Sequence, residues 1–234
     1  MRKLVAVFAT ICSITSTAEH ETRLTMIYAY TGVPGGGKSL HAAQDILDAV
    51  TKKDVAVIAN FDVNRKRLEK GLFNRSQAPF VYLPNSVLKP QVLIDLAATY
   101  YKKHKFHEAG ILLVIDEAAL LFNSRSWNDA DRADWIYFFT NSRHFGIKVI
   151  LIVQFLEMLD KQIRSIVEIE IQHRNMANFG FAGKVLSLLC GGKLFACVGY
   201  YNGLRERISV QYVLGRRHLY GFYDSYDVEA FKIH

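Results

Sequence analysis

Ile27-Tyr28-Ala29-Tyr30-Thr31-Gly32-Val33-Pro34-Gly35-Gly36-Gly37-Lys38-Ser39-Leu40 is the stretch on which the fold turns. A short apolar and aromatic run of strand character enters a glycine-rich loop, and the loop enters Lys38-Ser39. A triphosphate needs a concave anion site. A glycine-rich turn supplies one, because its backbone N–H groups converge and the missing side chains let phosphate oxygens approach. The pattern G-x-x-x-x-G-K-S is filled by Gly32, Val33, Pro34, Gly35, Gly36, Gly37, Lys38 and Ser39, in the required order of strand, loop and helix. Lys38 is expected to reach the β- and γ-phosphates of ATP, and the Ser39 hydroxyl to ligate Mg²⁺. The plainer reading, three glycines marking only a flexible loop, leaves that ordered context unexplained.

Working outward, Leu40, Ala43, Leu47 and Val50 recur at helical spacing, so an amphipathic helix should follow with the positive end of its dipole at the loop. Short apolar runs alternate with helical patterns from there on. Ile27 to Tyr30, Val55 to Phe61, Ile111 to Ile115, Lys148 to Val153 and Val167 to Ile171 read as strands. Between Asn128 and Phe145, Ala133, Ile136, Tyr137 and Thr140 share one helical face, with Asn128 as N-cap and Gly146 as the stop. Asn202-Gly203 suits a tight hairpin turn between antiparallel strands at roughly 194–201 and 204–213. The fold class is therefore α/β: a three-layer P-loop NTPase with a mostly parallel central sheet and a C-terminal antiparallel hairpin.

The buried run Ile111 to Ile115 ends in Asp116-Glu117. Paired carboxylates at the end of such a strand fit the second half of a nucleotide site, Asp116 holding Mg²⁺ through water and Glu117 polarising the attacking water as general base. Gln154, just past the next strand, is a candidate to sense the γ-phosphate, with an ordinary surface Gln as the plainer reading. Arg143 and Arg164 are both candidates for an arginine finger that spreads charge on the transferring phosphoryl group of a neighbouring subunit.

Composition bounds the rest. A chain of 234 residues, half of them hydrophobic, accommodates one α/β domain with a full core and leaves no room for a second large one. The net charge of +7 suits a phosphate-bearing partner, nucleic acid or an anionic membrane face, although no single basic tract stands out. Cys12, Cys190 and Cys197 show no C-x-x-C spacing, so neither a zinc motif nor a disulfide framework is indicated. His104 and His107 have no acidic or thiol partner nearby in the sequence and read as a solvated basic connection.

At the N-terminus, Arg2-Lys3 and the apolar Leu4 to Ile14 imitate a secretory signal. Export would deprive an ATP-binding protein of its nucleotide, so residues 1–25 are read as an upstream extension. The nucleotide domain is set at 26–226 and a C-terminal tail at 227–234.

These residues together resemble the zonula occludens toxin-like ATPases, which include the filamentous-phage assembly proteins of inoviruses. The resemblance extends from about Met26 to Tyr226. Beyond the phosphate loop it rests on Val57-Ile58-Ala59-Asn60-Phe61, Ile115-Asp116-Glu117-Ala118, Ser142-Arg143-His144-Phe145-Gly146, Gln154, Leu159-Asp160-Lys161-Gln162-Ile163-Arg164 and Gly221-Phe222-Tyr223-Asp224-Ser225-Tyr226. The resemblance implies kinship with ring-forming motors of the FtsK/HerA class, with an extra strand between the phosphate-loop strand and the Asp strand. It implies a homo-oligomer with shared sites, Gln154 as sensor, and Arg143 or Arg164 completing a neighbour's site.

The implied role is an ATP-driven motor for virion assembly and extrusion at the cytoplasmic face of the bacterial inner membrane, with phage coat and assembly proteins and single-stranded DNA as partners. Family members commonly continue into a transmembrane helix, whereas no apolar run of about 18 residues follows Leu214. Peripheral, partner-mediated membrane contact, or a truncated form, is the expectation. Two alternatives stand beside it: a DNA-packaging or DNA-translocating ATPase, and a nucleotide-dependent interaction module without useful turnover. Glu117 argues against the last.

Overall fold

The computed structural model describes residues 26–52, 54–64, 78–123, 129–190, 193–215, 219 and 222. The extension at 1–25, the Asn128 cap, the Gly221 and Tyr223 to Tyr226 part of the closing motif and the 227–234 tail lie outside them. Eight strands, β1 (Ile27–Thr31), β2 (Ala56–Ala59), β3 (Phe80–Tyr82), β4 (Ile111–Ile115), β5 (Ile147–Ile152), β6 (Ile169–Asn175), β7 (Leu194–Tyr201) and β8 (Arg207–Leu214), form one sheet in the order β3-β2-β4-β5-β1-β6-β7-β8. Pairing is parallel from β3 through β6 and antiparallel at β6–β7 and β7–β8. The extra strand is β5, which separates the phosphate-loop strand β1 from the acid-bearing strand β4.

The central strands read as unbroken apolar runs because both faces are covered. In β1, Ile27 and Ala29 enter one core while Tyr28 and Tyr30 enter the other; in β4, Ile111, Leu113 and Ile115 oppose Leu112 and Val114 in the same way. Helix α1 (Lys38–Lys52) covers the second face, burying Leu40, Ala43, Ile46 and Val50. The first face carries α2 (Pro90–Tyr101), the short α3 (Ala118–Leu121), α4 (Asp129–Thr140) and α5 (Lys161–Ile166). Helix α6 (Gly180–Leu189) lies beyond β6 and packs on the 3₁₀ turn Met176–Asn178.

Several local expectations need correction. Helix α4 turns Trp135, Phe138 and Phe139 inward, with Ile136 partly buried against the same core, and leaves Ala133, Tyr137 and Thr140 outside: Tyr137 is 60 % exposed and Phe138 fully buried. The aromatic stripe wins because it buries more apolar area and meets Phe122 edge-on, at 4.9 Å from Trp135 and 5.5 Å from Phe139. The helix also ends at Thr140, with Gly146 (φ 66°) closing a separate turn before β5.

The β7–β8 hairpin is not a two-residue Asn-Gly turn. Tyr201 N–H donates to the Glu206 carbonyl and Arg205 N–H to that of Tyr201, so the loop spans residues 202–205. Asn202 is engaged elsewhere: its side-chain amide donates to the Arg164 and Val167 carbonyls at 2.6 and 2.8 Å, pinning the hairpin tip to the α5–β6 connection. Strand β6 runs on to Asn175, beyond the expected end at Ile171, and β2 is shorter than Val55 to Phe61. Strand β3 and helix α2 have no counterpart among the expected elements.

Candidate nucleotide site

Parallel strands deliver their following loops to one edge of the sheet, and β1, β4 and β5 here bring the phosphate loop, the acid pair and Gln154 to the same edge. The loop has a shape that side chains would spoil. Gly32 (φ 137°) and Gly37 (φ 100°) lie in the left-handed half of conformational space; a Cβ on Gly32 would strike the His173 carbonyl, and one on Gly37 the Phe195 ring at 2.6 Å. The loop therefore rests directly on β6 and β7. Gly36 N–H closes it onto the Val33 carbonyl at 3.0 Å, and α1 begins at Lys38. Val33, Pro34 and Gly35 are exposed at its rim, while Ser39 is half-buried as the second residue of the helix.

The Lys38 ammonium folds back to donate to the Gly32 and Val33 carbonyls at 2.6 and 3.3 Å. Partial burial lowers its pKa, and the Asp116 charge opposes that. Asp116 is held up at about 6, mainly because its carboxyl is desolvated; the neighbouring Glu117 charge adds to the rise, while the Glu117 N–H and Lys38 oppose it. Lys38 and Asp116, far apart in the chain, thus feel each other's charge across one mouth.

Glu117 is exposed and has a left-handed backbone, φ 48° and ψ 42°, at the start of α3. Its N–H donates to Asp116 Oδ1 at 2.8 Å. The turn aims the two carboxylates differently, one inward and one to solvent.

Gln154 is exposed directly after β5, and its carbonyl accepts from the Gly32 N–H at 3.0 Å, so sensor candidate and phosphate loop share a backbone tether. A cleft of about 1420 Å³ extends from Gly32 and Val33 past Gln154 to Arg164, with Glu170 and Arg174 on its β6 wall. Arg143 is elsewhere. It sits in the turn before β5, at the edge of the sheet opposite the loop.

Asn60 carries a role that sequence reading did not assign. At the end of β2, its side chain accepts from the Asp116 N–H at 2.7 Å and donates to the Asp116 carbonyl at 2.9 Å, fixing the backbone that presents the acid. A polar residue ending a buried strand was the available signal. Its partner could not be read without the β2–β4 pairing.

The family model described as "Zonular occludens toxin (Zot)" matches residues 26–229. The chain belongs to the Zot family. Among curated relatives of this Zot domain, the "Gene 1 protein" of Escherichia phage If1 is 30 % identical over 210 residues, covering 85 % of this chain and 58 % of the relative. That of Enterobacteria phage M13 is 31 % identical over 173 residues, covering 72 % and 48 %. The chain thus spans about half the length of the curated relatives it matches.

Two solved structures share the fold. One, described as an ATPase domain, aligns with a TM-score of 0.58 at 11 % identity, over 95 % of this chain and 97 % of that one. The other, described as the DNA-packaging ATPase from Sulfolobus Turreted Icosahedral Virus, aligns at 0.50 and 17 % identity, over 80 % and 96 %. At such identities the likeness speaks for the P-loop NTPase fold alone.

Proposed function

We propose that this Zot-family domain binds ATP with Mg²⁺ and hydrolyses it to drive virion assembly and extrusion at the cytoplasmic face of the host inner membrane. The observation that supports this most directly is the glycine cradle with the Lys38 ammonium folded onto it, delivered to the same edge of the sheet as Asp116 and Glu117 at the end of β4. The donor set fits a hard divalent cation: the Ser39 hydroxyl and the Asp116 carboxylate are both oxygen ligands. Such an ion, when bound, would neutralise charge on the β- and γ-phosphates.

The residues do the remainder. The loop N–H groups and the α1 dipole hold the phosphates, and Lys38 exchanges its loop carbonyls for β- and γ-oxygens. Glu117 takes the proton of the attacking water, which Gln154 orients. Arg143 and Arg164 are both finger candidates: Arg143 lies at the edge of the sheet opposite the loop, and Arg164 opens on the cleft beside it. A neighbouring copy supplying a guanidinium there would make turnover depend on assembly, consistent with a homo-oligomeric ring.

Among the described residues no helix is long and apolar enough to cross a membrane. Peripheral or partner-mediated membrane contact, with phage coat and assembly proteins as partners, belongs to the same proposal. DNA translocation is the second reading; the +7 net charge and the cleft's Arg164, Arg174 and Arg205 favour it.

The deciding experiment is ATP turnover by the purified chain at several concentrations, with and without single- and double-stranded DNA and with inner-membrane vesicles bearing coat protein. Extrusion predicts stimulation by vesicles and coat. Salt-sensitive stimulation by DNA alone would transfer the assignment to translocation. Lys38→Ala should abolish nucleotide binding, and Glu117→Gln should bind but turn over about 100-fold slower or worse. Undiminished turnover in either variant would overturn the chemical assignment.

A further inference from the structure

Beneath the phosphate loop lies a group of side chains that nucleotide chemistry leaves unused. His41 on α1, His173 on β6 and Cys197 on β7 are at most 5 % exposed, and their Nδ1 or Nε2 and Sγ atoms all lie within 4.8 Å of one another. His41 Nδ1 and His173 Nε2 face each other at 2.8 Å. Each outer nitrogen faces an oxygen, one at hydrogen-bond distance and one beyond it. His173 Nδ1 is 3.1 Å from the Thr31 carbonyl, and His41 Nε2 is 3.8 Å from Asp45 Oδ2, which also accepts from the Tyr30 hydroxyl.

Proton bookkeeping makes this arrangement informative. A carbonyl only accepts, so His173 Nδ1 carries the hydrogen and Nε2 presents a lone pair inward. If His41 likewise keeps its hydrogen on Nε2, toward the Asp45 carboxylate, two lone pairs confront each other. If it moves that hydrogen to Nδ1, it donates to His173 Nε2 across the 2.8 Å gap and leaves a bare Nε2 at 3.8 Å from the carboxylate, too far for a hydrogen bond. Without a metal the two rings share that one hydrogen bond; with a cation between them both inner nitrogens offer lone pairs beside the buried Cys197 sulfur, and a neutral imidazole whose far N–H points to an oxygen is the usual form of a metal-binding histidine.

We propose that His41 Nδ1, His173 Nε2 and Cys197 Sγ form a buried site for a divalent zinc-like ion, distinct from the nucleotide's Mg²⁺ site. The donor set of two imidazoles and one thiolate suits zinc and is unsuited to magnesium. Binding replaces the thiol hydrogen: the Cys197 S–H gives up its proton to solvent as the sulfur–metal bond forms. The thiolate and the Asp45 carboxylate together then balance the ion's two positive charges. Metal–nitrogen bonds of about 2.0–2.1 Å and a metal–sulfur bond of about 2.3 Å at tetrahedral angles set the nitrogens about 3.3 Å apart and each about 3.6 Å from the sulfur, so the rings need to open by about half an ångström, the farthest donor to close in by up to about 1 Å, and a water to take the fourth position.

Burial holds His173 down near 3, keeping its ring neutral, and holds the free Cys197 thiol up near 12. No sequence motif announces the site, because the ligands come from three separate elements. The ion would fasten the first turns of α1 to β6 and β7 behind the loop.

The test uses the full chain. After purification without chelators, elemental analysis is expected to find near-stoichiometric zinc. Cobalt(II) added to metal-stripped protein should give a thiolate-to-cobalt charge-transfer band with intense visible bands of a tetrahedral site. Cobalt at an oxygen-lined Mg²⁺ site gives no thiolate band, so the two sites are separable whether or not ATP is turned over. Cys197→Ser should lose the band and Cys190→Ser keep it. His173→Gln should weaken cobalt binding at least tenfold. Wild-type protein that purifies free of zinc and shows no thiolate band in excess cobalt would overturn the proposal, without relying on any variant folding; so would a band that survives Cys197→Ser.

Discussion

The carboxyl group of Asp116 ends a fully buried strand, and desolvation holds its pKa at about 6 against an ordinary 3.8. In that window the folded, nucleotide-free chain keeps a proton that the unfolded chain releases. Stability should therefore fall as pH rises from about 4 to 6 and then level off. Nucleotide binding with Mg²⁺ needs the carboxylate, so affinity should move the other way and weaken below about pH 6. Thermal denaturation from pH 4 to 7, with and without Mg-nucleotide, measures both slopes, and Asp116→Asn should flatten both. The loop and the acid pair were legible in the sequence because their chemistry demands contiguous residues. Asn60, His41, His173 and Cys197 were not, since each matters through partners that only the sheet brings together.

Among the elements, strand β4 is legible to the residue and β1 to within one, since a fully buried parallel strand is a continuous apolar run with polar ends. Strand β3 is only three residues long, half-buried to exposed, and carries no such mark. Helix α2 did leave traces, Pro90 at its first turn and Leu93 and Ala97 one turn apart on its buried side. Helix α4 shows how periodicity misleads when apolar residues occur on several faces. Trp135→Ala should cost about 3–5 kcal/mol of unfolding free energy, against about 0.5 kcal/mol or less for Tyr137→Ala. Chemical denaturation of the two variants decides between the faces. Comparable losses from both would show that Tyr137 is covered.

For the whole molecule, β5 standing between β1 and β4 puts Gln154 between the loop and the acids, and the chain then passes through α5 to Arg164 on the shared cleft. Arg143 lies at the far edge of the sheet from its own loop. Two copies arranged so that one's Arg164 meets the other's nucleotide would make turnover per chain rise with concentration. Mixing Lys38→Ala with Arg164→Ala subunits should restore part of the activity that each lacks alone. If Arg143→Ala complements and Arg164→Ala does not, the finger is at the opposite edge. The antiparallel pair β7–β8 expected around Asn202-Gly203 forms, but its tip departs from the expected turn because Asn202 serves a tertiary contact before a turn.

The left-handed backbone at Glu117 has a consequence for evolution in the laboratory. An acid with a Cβ carries a conformational penalty there of roughly 1 kcal/mol, which asparagine tolerates far better. Glu117→Asn should therefore melt no lower than the parent while its ATP turnover collapses. A selection that rewards heat resistance alone would drift toward a sturdier, inert particle, and calorimetry beside a phosphate-release assay on that one variant would reveal the conflict.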